Sequence, residues 1–187
     1  MIHRFAGFTP PLARLVELAD TSFDASTFKA ACEALGPFDV KGSDESLWWF
    51  DLAPPDGPRL LACVEDDRVT VAVLPICWWD TPIVGYYDDL ADYHADQAEF
   101  ARAFADALAA TVALLGPPLR SATGPDVDYR HALWRRPNGL FVLQQSDSVG
   151  QGEDDIHYWI SPWAGPDPEP TDPFLDWICR AGPGDDS

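Results

Sequence analysis

The sequence predicts an α+β protein: an antiparallel sheet of about six strands, in two three-stranded meanders of αβββ-αβββ order, with helices packed on one face. Three observations carry that expectation. Residues 96–115 place Phe100, Phe104, Leu108, Val112 and Leu115 at the spacing of one apolar helical stripe. Short β-type apolar runs flank this helix, at 47–53, 59–65 and 68–76 before it and around 131–134, 140–146 and 155–161 after it. Two of the gaps between runs are tight-turn signals, Asp66-Asp67 and Pro137-Asn138-Gly139.

Taken in order, Thr9-Pro10-Pro11 starts a first helix, because proline fits the first helical positions. Leu12, Leu15, Val16 and Ala19 give it one apolar face. A second start at Asp24 is followed by Phe28, Ala31, Cys32 and Leu35 on one side, with Gly36-Pro37 as the stop. Residues 39–46 read as an acidic loop. The run 47–53 ends at Pro54-Pro55-Asp56-Gly57-Pro58, and 59–65 and 68–76 form a hairpin whose strands are apolar on both faces, as central strands are. Cys77-Trp78-Trp79-Asp80 is expected to leave the sheet into an aromatic, acidic connector that runs to Asp92.

Asp96 and Glu99 suggest a capping box for the long helix, and Gly116-Pro117-Pro118 terminates it. Asn-Gly at 138–139 is the strongest hairpin signal in the chain. Residues 147–154 read as a glycine-bearing acidic loop. Residues 1–161 are expected to make one domain. Residues 162–187 open with a proline-rich stretch and continue into a short helix from Pro173, whose Phe174, Leu175, Trp177 and Ile178 pack back on the body.

Charge dominates the composition. The 187 residues carry 31 Asp+Glu against 12 Lys+Arg, a formal net charge of −19. Such a chain adds to a phosphate field instead of neutralising it, so nucleic acid is an unfavourable partner, and anionic membrane surfaces are too. It attracts cationic proteins from a distance. The four cysteines are scattered without a CxxC pair and sit in apolar runs, and the first residues lack a secretory apolar region. A reduced, cytoplasmic protein is the expectation.

No nucleophile elbow, phosphate loop, dinucleotide fingerprint or HExxH motif is present in the sequence. Asp88, Asp89, Asp92 and Asp96 with His94 could hold a divalent metal; the simpler reading is that carboxylates gather at a helix N-terminus because its dipole favours them. The second reading is preferred, so neither a metal nor another cofactor is expected. His131 and His157, each in a predicted strand, form a candidate pair if their strands are adjacent. Trp48, Trp49, Phe50 and Trp134 are core candidates. The favoured site is a protein-binding surface of rings and carboxylates: Trp78, Trp79, Asp80, Tyr86, Tyr87, Asp88, Asp89, Asp92 and Tyr93, with Asp154 and Asp155. Aromatic rings supply contact area there, and the acids steer and meet Arg or Lys.

In element order over residues 9–180 and in its acidity, the chain resembles the acidic immunity proteins that bacteria keep beside polymorphic toxins. It is also similar to small acidic secretion chaperones, from which its proline-rich segment departs. The first resemblance implies a non-catalytic inhibitor that masks a basic toxin or effector domain. The second implies an adaptor that holds an export substrate. A small hydrolase or transferase built on the histidines or on the 88–96 cluster is the third possibility. Neither resemblance assigns a role to any residue, and the sequence leaves monomer and dimer equally open.

Overall fold

The computed structural model describes residues 2–4, 8–35, 38–40, 46–52, 57–80, 90–123, 130–148 and 153–164. The protein is α+β. Among these residues nine strands and three helices run in the order β1 (Ile2–Arg4), α1 (Leu12–Asp20), α2 (Ala25–Glu33), β2 (Phe38–Val40), β3 (Leu47–Asp51), β4 (Arg59–Glu65), β5 (Arg68–Asp80), α3 (Leu90–Leu115), β6 (Arg120–Ala122), β7 (His131–Arg135), β8 (Gly139–Ser148) and β9 (Glu153–Pro162). All the strands join one antiparallel sheet ordered β2-β3-β4-β5-β9-β8-β7-β6, and β1 lies alongside the second half of β5.

The local chemistry explains most boundaries. Asp24 caps α2 by accepting from the Thr27 backbone N–H at 3.1 Å, so the first forty residues hold two helices separated at Thr21-Ser22. Asp66 and Asp67 both adopt left-handed backbone, φ 48° and 59°, which is the type I′ geometry a two-residue hairpin needs. The helix α3 closes with Gly116 at φ +78°, its N–H returning to Val112 O at 2.8 Å.

Several expectations need correction. The helix α3 begins at Leu90, six residues before Asp96, so Asp96 and Glu99 lie inside it and cap nothing; no proline or glycine interrupts 90–115. The strand β5 does not stop at Ile76. Pro75 coincides with a register shift between Pro75 and Cys77, so the missing N–H is absorbed in an irregularity and pairing resumes through Asp80. Residues 147–148 and 153–154 extend β8 and β9 instead of forming loop, and Asp39 belongs to β2. The short strands β1, β2 and β6, three residues each, are additional to the six expected.

One sheet face carries all three helices. Leu15, Leu18 and Ala19 of α1, Phe28 and Cys32 of α2, and Phe100 and Phe104 of α3 share a cluster with Phe50, Leu60, Leu74, Trp134, Phe141, Leu143, Ile156 and Tyr158. Polar contacts fix the helices on this face. The Thr111 and Tyr158 hydroxyls share a hydrogen bond of 3.2 Å, and Trp134 Nε1 donates to Gly116 O at 3.0 Å. The Arg136 guanidinium forks onto the Asp20 carboxylate, with Nε at 2.8 Å, tying the end of α1 to the β7–β8 turn.

Gly139, which opens β8 just after that turn, is there for space and not for an unusual φ: a Cβ would run into Ser161 O and lie 2.9 Å from the Phe23 ring. Gly139→Ala should therefore lower stability by about 1–3 kcal/mol in urea unfolding, because backbone and ring must both shift. Phe104→Ala should cost about 3–5 kcal/mol, and Leu108→Ala, half-buried on the same stripe, measurably less. Burial pushes the Tyr158 phenol up, opposed by its bond with Thr111. Its contribution is fully present below the ordinary phenol value of about 10 and is lost as pH rises through the raised folded value. Tyr158→Phe should thus flatten the alkaline limb of a stability-against-pH curve.

Candidate functional site

The long central strands bring two distant parts of the expected surface together. In the β5–β9 register Trp78 stands opposite Asp155, Trp79 opposite Asp154, and Asp80 opposite Glu153. The β8–β9 register adds Ser146, Asp147 and Ser148 opposite Asp155, Asp154 and Glu153. On the other side of β5, His3 faces Trp78 and Ile2 faces Trp79. The end of this ribbon therefore holds Asp80, Asp147, Glu153, Asp154 and Asp155 in neighbouring positions of three strands, beside two tryptophans.

This arrangement works against the sheet. Asp147 and Asp154 occupy directly opposed positions, as do Asp80 and Glu153. Like charges so placed are destabilising by up to about 1 kcal/mol per pair. These positions alternate between the two faces of the ribbon: Trp79, Asp154 and Asp147 share one row, flanked by the row of Trp78 and Asp155 and that of Asp80 and Glu153.

Of the other expected residues, Asp92 and Tyr93 lie in the first turn of α3, twelve and thirteen positions beyond the end of β5. Tyr86, Tyr87, Asp88 and Asp89 lie outside the described residues, and with them half of the acidic group weighed as a metal site. Trp78 and Asp155 are half-buried. Asp147 and Glu153 were missed, because Gly150 and Gly152 made their surroundings read as loop; the carboxylates at 147, 153, 154 and 155 were the signal available.

His131 and His157 are not on adjacent strands. They share one row of the sheet with Gln144 between them, His131 opposite Gln144 and Gln144 opposite His157, so their backbones are about 10 Å apart. The His157 ring is 1% exposed and packs on Trp159, with centroids 5.3 Å apart. Its Nδ1 comes within 3.2 Å of Asp155 Oδ2, at ion-pair distance but not aligned as a hydrogen bond. A nucleophile would need to sit within hydrogen-bond reach of such a base, and the described cysteines do not supply one: Cys32 and Cys77 are buried on the helix side of the sheet. Burial, reinforced by Glu33, pushes the Cys32 thiol far up, and burial with Glu65 raises Cys63 as well, opposite to an activated thiolate. Among the described residues, no group of three or more His, Cys, Asp or Glu is placed to hold a metal ion.

The fold and this ribbon end thus define an α+β protein with an acidic, tryptophan-bearing extension of its central strands. No family model, no curated protein and no solved structure matches the chain. Among the described residues no helix is long and apolar enough to cross a membrane.

The opposed carboxylates make a direct prediction. Asp147→Asn should raise the melting temperature at low salt by up to a few degrees, and the gain should shrink as salt screens the repulsion. A thermal melt at low and high ionic strength reads both effects.

Proposed function

We propose that this chain is a non-catalytic binding protein of immunity type, which masks a basic toxin or effector domain by offering the acidic end of its β5–β9–β8 ribbon to that domain's cationic surface. What supports the reading is one observation: Asp80, Asp147, Glu153, Asp154 and Asp155 are aligned in register beside Trp78 and Trp79, where the fold alone would disfavour like charges. The net charge of −19 extends the same field outward and speeds encounter with a positive partner while discouraging nucleic acid. The residues of the connector, Tyr86, Tyr87, Asp88 and Asp89, with Asp92 and Tyr93, belong to the same surface in this reading. We further read the chain as two αβββ halves, β3–β5 behind α2 and β7–β9 behind α3, with β1, β2 and β6 as short additions.

The test uses the product of the adjacent reading frame, co-purified with this chain and measured by stopped-flow association. The triple variant Asp80→Lys, Asp147→Lys and Asp154→Lys should lower the association rate by at least about tenfold while leaving the melting temperature unchanged or higher. The rate for the unaltered chain should also fall steeply between low and high salt. An association rate indifferent to both the variant and the salt would remove this surface from the interaction.

A further inference from the structure

The turn between β7 and β8 carries a reactive dipeptide that the fold leaves chemically open. Asn138 is the single asparagine among 187 residues, and a glycine follows it. Asparagine is a thermally labile side chain, and glycine, having no Cβ, leaves the next backbone nitrogen unhindered. Asn-Gly signals a type I′ turn, whose two central residues are left-handed. Among the described non-glycine residues only Asp66 and Asp67 take that backbone. Arg136 N–H donates to Gly139 O at 2.8 Å, but the loop closes without the return bond from Gly139 N–H to Arg136 O. The Gly139 nitrogen is therefore left out of the turn's hydrogen bonding, and the Asn138 side chain beside it is exposed.

We propose that Asn138-Gly139 is a site of self-modification, and that the modification releases the end of α1. The Gly139 nitrogen loses its proton to a solvent base and bonds to Asn138 Cγ. The Cγ–Nδ2 bond breaks, Nδ2 takes up a proton and leaves as ammonia, and a succinimide ring remains. Water then opens the ring at either carbonyl. Opening at Cγ gives aspartate; opening at the Asn138 backbone carbonyl gives isoaspartate, in which the main chain runs through the former side chain. Water is consumed and ammonia released, and nothing is oxidised or reduced.

Asn138 holds the end of α1, because its Nδ2 donates to Asp20 O. Asp-Gly suits a hairpin as Asn-Gly does, yet a chain rich in carboxylates places an amide here, where a donor is needed. Either product replaces that donor with a carboxylate, which faces the Asp20 carbonyl and lies near the Asp20 carboxylate that Arg136 holds. Attraction becomes repulsion at the same contact. Isoaspartate also lengthens the backbone where Trp163 N–H bonds Asn138 O at 3.2 Å and where Gly139 packs tightly on Ser161 O. The Arg136 fork and the apolar face of α1 still hold the helix, so its end loosens without global unfolding.

The experiment ages the full-length chain in mildly alkaline buffer at body temperature, beside a free peptide of residues 131–144. Peptide mass mapping reads the amide-to-acid conversion, and hydrogen exchange reads the α1 amides. The folded chain should convert at Asn138 within about thirtyfold of the peptide's rate. Conversion should quicken as pH rises, because the Gly139 nitrogen attacks only after losing its proton. Slower conversion than that would mean that the fold shields the site, and would overturn the proposal without any variant having to fold. In aged material the amides of residues 17–20 should exchange at least about tenfold faster than in fresh material; conversion that leaves them unchanged would overturn the release of α1. Asn138→Asp should show the faster exchange without ageing. Asn138→Gln, whose longer side chain closes a larger ring more slowly, should keep its mass over the same interval, and an equal gain of mass in that variant would move the reaction to a glutamine and sink the assignment.

Discussion

The pairing of β5 with β9 is the contact on which the rest depends. Residues 72–80 run against 153–160, joining strands that belong to different sequence neighbourhoods. Without that ladder β4 and β5 would be a hairpin with one lateral partner, and β8 and β9 another. With it, Leu74, Cys77, Ile156 and Tyr158 become the middle of a floor wide enough for all three helices. The same ladder carries Trp78, Trp79 and Asp80 alongside Asp155, Asp154 and Glu153. Core and candidate surface are thus two stretches of one hydrogen-bonded ribbon, and its apolar stretch holds the acidic stretch in register.

Helices bind this floor through few but specific polar ties. Thr111 satisfies its hydroxyl on Ala107 O and meets Tyr158, so the polar group of a buried helix position serves as a tether instead of an orphan. Trp134 uses its indole N–H to close the end of α3. Asp20 takes the Arg136 fork, and its carbonyl takes Asn138, so the end of α1 is stitched to a turn more than a hundred residues later. Each tie links a helix end or helix interior to β9, to β7 or to the β7–β8 turn, which makes the packing specific where apolar contact alone would tolerate sliding.

Much of this was legible in the residues. The stripe from Phe100 to Leu115, the Asp24 cap, the Asp66-Asp67 turn and the hairpin at Pro137-Asn138-Gly139 each act over a few positions, and local chemistry decides them. The misreadings share a physical cause: they lie where a distant partner overrides local preference. Cys77 to Asp80 read as leaving the sheet, and it is the pairing with β9 that keeps them in it. Strands β1, β2 and β6 are too short to show a pattern and exist because a neighbouring edge recruits them. The acidic site was half legible. Charge and aromatic content marked 78–80 and 154–155 separately, but only register could reveal that they are neighbours, or that Asp147 and Glu153 complete the group. Asn138-Gly139 signals the hairpin, but the use of Gly139 is to let Ser161 O and the Phe23 ring approach.

The separation along the chain between β5 and β9 has a consequence for synthesis. While β5 emerges from the ribosome, its most apolar stretch, Val71 to Leu74, has a lateral partner in β4 on one edge only; the other waits for more than seventy further residues. For that interval an open strand edge invites pairing with sister chains on the same message. A strongly negative nascent polypeptide repels its siblings, so the surplus of carboxylates opposes that pairing during translation.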